Sequence, residues 1–375
     1  MQDKYHTCSI FLDLAKAFDT IDHKILLAKL HLYGIRGHAG QLLSSYLSQR
    51  TQRTKINNVH SNYCNVTCGI PQGSILGPLV FDLFINDIPQ ASNFSVRLFA
   101  DDACLTLRDK DPKVLEIKAN QELQKIDDWV KINRLTINYS KSYCILFNRQ
   151  NITRKIKIKM SGKTIEQVKT IKYLGVHIDQ GLNWKQQIQK IQAKLTSASY
   201  IITKTRHYLT LLTLKMLYYS LIFPQINYCL TAWGGANKST LQPIINQQKK
   251  IIRLITNNSY DSPSNPIFVS LKILPFQSLY KFNILILMHK IVNKNFIGSY
   301  KLTYLTDTHN YGTRLSTSNN FYHNYTRTKY GQSTSSIQGT KLWRTISQEI
   351  KELPFYKFKQ KLKENLFIEL QEGIT

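Results

Sequence analysis

The sequence predicts an α+β chain, mixed in its first half and mainly helical in its second, on three observations. Short β-branched runs alternate with helical periodicity up to about residue 180, the texture then turns to long Lys/Gln-rich amphipathic patterns, and the acidic residues concentrate before that change. In order, Cys8–Leu14 reads as a strand, Asp19–Tyr33 and Ala39–Ser48 as helices, Ser74–Asp87 as another helix, and Val96–Leu107 as a hairpin. Val114, Leu115, Ile117, Leu123, Ile126 and Val130 share one helical face, so a helix there would cap a sheet completed by strands at Ser142–Phe147, Lys155–Met160 and Thr170–Ile178. Beyond it, Trp184–His207, Leu212–Ile222, Leu241–Ile255 and Pro275–Asn293 carry helical patterns. Residues 296–340 read as an irregular connector before helices at Lys341–Leu353 and Phe355–Leu370. A domain boundary is expected near Gly181.

A chain of 375 residues suggests two or three domains. With 42% hydrophobic residues, 21 Tyr and 16 Phe it can bury ample apolar area, and 16 Gly and 10 Pro exclude a fibrous or low-complexity chain. Fifty Lys and Arg against 23 Asp and Glu leave a net charge of +27, divided +9 over residues 1–180 and +18 over 181–375. Such an excess suits a polyanionic partner, nucleic acid first, although a compositional bias toward Lys, Asn, Ile and Tyr gives the same balance. The six cysteines (Cys8, Cys64, Cys68, Cys104, Cys144 and Cys229) are scattered, mostly in apolar runs, which predicts reduced core residues and no disulfide framework. Cys64 and Cys68 lack a second Cys/His pair at a finger-like distance, which speaks against zinc. The longest apolar stretch, Leu217–Trp233, is interrupted by Ser220, Pro224, Gln225 and Asn227, and the N-terminus shows no hydrophobic signal core. A soluble chain without a membrane partner is expected.

The chemistry concentrates in three segments: Ile10-Phe11-Leu12-Asp13-Leu14, Gly69-Ile70-Pro71-Gln72-Gly73, and Phe99-Ala100-Asp101-Asp102-Ala103. Carboxylates inside apolar strands are costly unless cations or donors meet them. With Asp101 and Asp102 in a tight turn and Asp13 ending a neighbouring strand, three carboxylates would converge at one sheet edge and suit Mg²⁺, which prefers oxygen ligands and bridges carboxylates to phosphates. Two such ions about 3.5–4 Å apart serve in-line phosphoryl displacement. Taken singly, the same residues also fit an Asp-rich turn, a strand-terminal cap at Asp13, and an N-cap at Asp19 for the following helix.

Phe11 through His23 (FLDLAKAFDTIDH), Gly69 through Pro78 (GIPQGSILGP), Phe81 through Pro89 (FDLFINDIP) and Phe99-Ala100-Asp101-Asp102 together closely resemble reverse transcriptases of jockey-like non-LTR retrotransposons. Asn133 through Asn138 with Lys141, Tyr173 through Val176, and Leu182-Asn183-Trp184 extend the resemblance over about residues 5–195 in the family's order. Tyr228–Gly234, Gln247–Ile255, Tyr311–Arg314 and Gly339–Trp343 resemble the less specific C-terminal region of the same elements. The resemblance implies a right-hand polymerase: a palm over 1–180 with an antiparallel sheet packed on helices, a helical thumb over 181–260, and a helical or irregular C-terminal region over 261–375. It implies RNA-directed DNA synthesis from deoxynucleoside triphosphates, with an RNA template, a DNA primer, two Mg²⁺ ions (Mn²⁺ as the alternative) and the nucleus as the compartment.

Residue by residue, Asp13 and Asp101 would hold the metals, with Asp102 the third acid and the Leu14 backbone carbonyl assisting. Phe18 would exclude a 2′-hydroxyl by bulk, its alternative being a core Phe. Gln72 and Gly73 would line the nucleotide pocket, although a plain turn before the next helix uses the same residues. Lys141 would sit near the triphosphate, or stand solvated. Tyr173, Leu174 and Gly175 would grip the primer end, or simply form a strand with a Gly bulge. Trp184, Tyr200, Tyr208, Tyr218 and Tyr219 are expected in the core of the basic second half, which would track duplex phosphates. Only about a dozen residues precede Asp13, so the family's basic fingers region is expected to be mostly absent, as is an upstream endonuclease or a C-terminal zinc knuckle. A catalytically silent remnant that binds nucleic acid, and a group-II-intron-like or telomerase-like relative, are the competing readings.

Overall fold

Five consecutive buried residues, Cys8 through Leu12, make β1 (His6–Asp13) a strand covered on both faces. The computed structural model describes residues 5–147, 155–296, 302–304, 321–322, 326 and 328–373. The chain divides into two units, one reaching Ile171 and the other starting at Lys172, a division earlier than the one expected near Gly181.

In the first unit β1 leads to α1 (His23–Leu32) and α2 (Gly37–Leu47), then to four two-residue strands, β2 (Thr51–Gln52), β3 (Lys55–Ile56), β4 (Val59–His60) and β5 (Cys64–Asn65). Next come α3 (Leu76–Ile85), β6 (Ser95–Phe99), β7 (Asp102–Asp109), α4 (Pro112–Ile132), β8 (Tyr143–Phe147), β9 (Ile158–Met160) and β10 (Lys163–Gln167). The six-stranded sheet runs β6-β7-β1-β8-β10-β9. It is antiparallel except where β8 meets β10. Helix α4 buries Leu115, Ala119, Leu123, Ile126 and Val130, a stripe at three- and four-residue spacing, and packs on β1, β7 and β9. β10 has no counterpart in the sequence reading, because Lys163–Gln167 buries Ile165 alone.

The division falls inside β11 (Thr170–Tyr173), which forms a hairpin with β12 (Val176–Asp179), where a single strand over Thr170–Ile178 is expected. Leu174 and Gly175 between them both have positive φ, 45° and 78°, the backbone of a type I′ turn. The buried Asp179 carboxylate then accepts the N–H groups of Gly181 (3.1 Å), Asn183 (3.0 Å) and Trp184 (2.7 Å), closing the loop into the next helix. The remaining elements named among the described residues are helical: α5 (Lys185–Thr205), α6 (Leu211–Leu217), a π-helical turn over Tyr218–Ile222, α7 (Phe223–Asn227), α8 (Leu230–Trp233), α9 (Lys238–Ile255), α10 (Ser264–Leu271), α11 (Phe276–Val292), α12 (Lys329–Gln332), α13 (Ser335–Arg344), α14 (Gln348–Lys351) and α15 (Phe355–Glu372). The expected helix over Lys341–Leu353 is thus two shorter ones. Tyr218 is fully buried and Trp184 packs partly against the core, whereas Tyr200 and Tyr208 are 64% and 87% exposed and Tyr219 is partly exposed, so the expected aromatic core holds in part. All six cysteines are unpaired; Cys8, Cys104 and Cys144 are buried, but Cys64, Cys68 and Cys229 are exposed. No helix among the described residues is long and apolar enough to cross a membrane. Tyr311–Arg314 lies outside the described residues.

Asp19 does not cap α1. The cap is Asp22, whose carboxylate accepts the N–H groups of Lys24 (2.8 Å) and Ile25 (3.0 Å) and the Arg134 guanidinium (2.7 Å). Residues 15–20 form turns in which Lys16 has φ 48°, which delays the helix. The Ile25 N–H first, then those of Lys24 and the Arg134 guanidinium, hold the Asp22 carboxyl below its ordinary range. Its stabilisation is therefore present above the ordinary carboxylate pKa and lost as pH falls through the lowered one. Asp22→Ala is expected to lower stability by about 1 kcal/mol in chemical denaturation at pH 7, and Asp19→Ala by much less. An equal loss in both would contradict the cap assignment.

Candidate active site

The site begins with strand register. β1 and β7 pair antiparallel from His6 opposite Asp109 to Asp13 opposite Asp102. β6 pairs with β7 up to Phe99 opposite Asp102, so Ala100 and Asp101 form the turn, Ala100 with φ 49°. Directly opposed residues of an antiparallel pair present side chains to one face with Cβ atoms about 4.5–5.5 Å apart. Asp13 and Asp102 are such a pair, and Asp101 adjoins them.

The backbone of Asp13 is held from the other side. Its N–H donates to Ser142 Oγ (3.2 Å), its carbonyl accepts Asn138 N–H (2.8 Å), and Ser142, fully buried, donates to the Asn138 carbonyl (2.8 Å). Ala15 N–H in turn donates to Thr136 O (2.8 Å), and Leu14 bridges Ile137. Alternation along an antiparallel pair then directs the Leu14 carbonyl toward the β7 side, where the paired acids stand.

Burial first, then the charges of Asp101 and Asp13, pushes the Asp102 carboxyl above its ordinary value. Among the described residues no lysine or arginine is ion-paired with Asp13, Asp101 or Asp102. Nor does any group of three His, Cys, Asp or Glu among them stand close enough to hold a metal ion as the side chains lie. The donor set is nonetheless oxygen-only and mutually repelling, chemistry that a hard divalent cation fits.

A second loop pair lies in the same unit. Gly69 N–H donates to Ile21 O (2.8 Å), Ile70 N–H to Phe18 O (2.8 Å), His23 Nε2 bonds with Gly69 O (2.7 Å), and Gln72 Nε2 donates to the Asp19 carboxylate (2.8 Å). Gly69 has φ 83°, and a Cβ there would stand 2.6 Å from Asp19 O, so the close approach of the two loops requires glycine. Gly73 also has positive φ, 82°, and faces open space. Ser74 Oγ accepts Tyr46 Oη (2.6 Å) and Gly77 N–H (3.0 Å) and donates to Pro71 O (2.9 Å), fixing the loop to the start of α3. Phe18 is half-buried, its ring stacked on Phe81 with centroids 4.4 Å apart. Lys141 is exposed, in the turn that carries Asn138 and Ser142.

Tyr173, Leu174 and Gly175 belong to the second unit, and the other candidate residues to the first. There Tyr228 Oη donates to Leu174 O (2.7 Å), and a Cβ on Gly175 would meet the Tyr228 ring at 3.3 Å. Ser142, Asn138, Asp19 as the partner of Gln72, and Tyr228 are the supporting residues that sequence reasoning missed. They act through hydrogen bonds between distant segments, for which the sequence carries no periodic or spacing signal.

Residues 1–178 match the family model described as reverse transcriptase (RNA-dependent DNA polymerase). These residues form a reverse transcriptase domain. Over 261 residues the chain is 30% identical to a probable RNA-directed DNA polymerase from transposon X-element of Drosophila melanogaster, covering 68% of this chain and 28% of that protein. Over 289 residues it is 27% identical to the RNA-directed DNA polymerase from mobile element jockey of the same species, covering 73% of this chain and 31% of the relative. The chain thus spans less than a third of the length of these relatives. A structure of telomerase from Candida albicans in complex with a fragment of telomeric RNA overlays with TM-score 0.41 and 10% identity, covering 70% of this chain and 50% of that one.

A carboxyl whose folded pKa is raised opposes folding as pH climbs from its ordinary value through the raised one. In EDTA at neutral pH, Asp102→Asn is therefore expected to stabilise the reverse transcriptase domain, on the order of 0.5 kcal/mol for so exposed a cluster. Thermal unfolding measures it, and a destabilised variant would contradict the charge repulsion described above.

Proposed function

We propose that this chain is the palm and thumb of an RNA-directed DNA polymerase, extending a DNA primer on an RNA template from deoxynucleoside triphosphates. The observation that carries the reading is the register that sets Asp13 opposite Asp102, with Asp101 in the adjoining turn, inside a reverse transcriptase domain. Asp13 and Asp101, with Asp102 and the Leu14 carbonyl, would hold two Mg²⁺ ions. When bound, those ions supply charge neutralisation at the phosphates and a more acidic attacking hydroxyl.

The remaining work belongs to the chain's own groups. Phe18, backed by Phe81, limits the space at the sugar 2′ position; its stacking keeps the ring from swinging aside. Gln72 is oriented by Asp19, and Gly73 opens the loop backbone to the nucleotide. Lys141 offers an ammonium to the departing pyrophosphate. Tyr173, Leu174 and Gly175 hold the primer end, with the Leu174 carbonyl fixed by Tyr228. Residues 181–260 serve as thumb and 261–375 as a helical or irregular C-terminal region, the +18 charge of the second half contacting duplex phosphates.

Primer extension on an RNA template tests the reading. Asp101→Asn with Asp102→Asn should cost on the order of 10³-fold in rate, the scale of several kcal/mol of charge stabilisation. Binding that survives without extension in the unaltered chain would support the nucleic-acid-binding remnant instead. Phe18→Ala should raise ribonucleotide incorporation relative to deoxyribonucleotide by about tenfold or more. Unchanged discrimination would return Phe18 to a purely structural role.

A further inference from the structure

The segment between α2 and the GIPQG loop is a ribbon whose strands pair only with one another among the described residues. Thr51 opposes Asn65 and Gln52 opposes Cys64 at its base, and Lys55 opposes His60 and Ile56 opposes Val59 at its tip. Two residues separate the pairs on the outgoing strand and three on the return, so Ser61–Tyr63 holds a bulge, clamped by Ser61 N–H to Thr54 O and Thr54 N–H to Ser61 Oγ, both 2.9 Å. Asn57 and Asn58, with φ 46° and 65°, make the tip turn. Every residue from Thr51 to Asn65 is exposed, on both faces. A lone two-stranded ribbon is marginal in water, yet this one presents Ile56, Val59 and Tyr63 at 66%, 73% and 64% exposure.

Its chemistry points to one kind of occupant. From His23 to Phe81 the sequence holds no acidic residue, while Arg50, Arg53 and Lys55 are cationic and Arg53 lies over the Tyr63 ring at 4.9 Å. Guanidinium and aromatic faces interleaved on an uncompensated basic strand suit a phosphate backbone with unstacked bases. The ribbon is closed by Val66 N–H to Arg50 O (2.8 Å) and runs through the Cys68–Asp22 bridge into the loop bearing Gln72. On the polymerase reading, that loop lines the nucleotide pocket, and a templating base must arrive there unpaired. We propose that the residue 50–66 ribbon is a docking arm for the single-stranded template ahead of the nucleotide pocket; this inference rests on the polymerase reading.

The test is equilibrium binding of the full chain, by fluorescence anisotropy in EDTA over a range of salt, to blunt primer–template duplexes and to duplexes with a 5′ template overhang of RNA or of DNA. Arg50→Ala, Arg53→Ala and Lys55→Ala combined should lower the slope of log affinity against log salt by about 2 on overhang substrates, with blunt duplexes unaffected. Tyr63→Ala should weaken overhang binding about tenfold. Losses on RNA and DNA overhangs alike identify phosphate and base-face contact, and a loss on RNA alone adds the 2′-hydroxyl; both support the arm. Equal losses on blunt and overhang substrates, no loss on either, or overhang binding restored only by an added protein would overturn it. Arg53, Lys55 and Tyr63 are exposed and Arg50 is partly buried, so matching melting curves for variants and unaltered chain show that folding is not the cause. Binding read without metal or nucleotide also separates the outcomes: extension that is indifferent to Asp101 and Asp102 sinks the polymerase reading, whereas intact extension with indifferent overhang binding sinks only the arm.

Discussion

The antiparallel pairing of β1 with β7 is the interaction on which the site depends. Successive strand residues point to opposite faces, so a one-residue slip would carry Asp13 away from Asp102 and bury a carboxylate where Leu12 or Leu14 now packs. The register is enforced by the ladder from His6–Asp109 to Asp13–Asp102 and by the fully buried Cys8, Ile10, Leu105 and Cys144 around it. The acids sit at the end of that ladder, where the apolar run stops. Apolar burial thereby holds together charges that repel, which is the relation expected when a site's chemistry conflicts with folding locally and is offset by packing elsewhere.

A second constraint is the close approach of the Phe18–His23 turn to the GIPQG loop. It ties the segment bearing Phe18 to the loop bearing Gln72 and Gly73, with Gly69 as the residue whose missing Cβ makes contact with Asp19 feasible. Ser142 and Asn138 act likewise for Asp13, from a segment that is distant in sequence. The candidate site is thus carried by short loops at the end of the six-stranded sheet, each fixed to a neighbouring segment by hydrogen bonds.

What the sequence made legible was whatever carried periodicity. β1, the β6–β7 hairpin and α4 follow from apolar runs and a helical stripe, and the long helices of the second unit from theirs. The ribbon of residues 51–65 has no buried face and so no pattern to read. β10 buries Ile165 alone, and the β11–β12 turn hides behind Leu174, a residue that seldom occupies a left-handed position without the hydrogen bond Tyr228 gives its carbonyl. Asp22 was masked as the α1 cap by Asp19, three positions earlier and equally suited by residue type. Among the candidate site residues, identities were legible through the resemblance that the FLDLAKAFD, GIPQG and FADD segments carry together; their supports were not, because a hydrogen bond across many residues leaves no local trace.

Asp13, Asp101 and Asp102 are proposed to take up divalent cations together. Anomalous diffraction from crystals of this chain equilibrated with Mn²⁺ and a deoxynucleoside triphosphate tests it most directly. Manganese peaks bounded by the Asp13 and Asp101 carboxylates and the Leu14 carbonyl, with Asp102 alongside, are the expected result. Ordered acids at the end of β1 and in the β6–β7 turn, with manganese bound only elsewhere on the molecule, would contradict it.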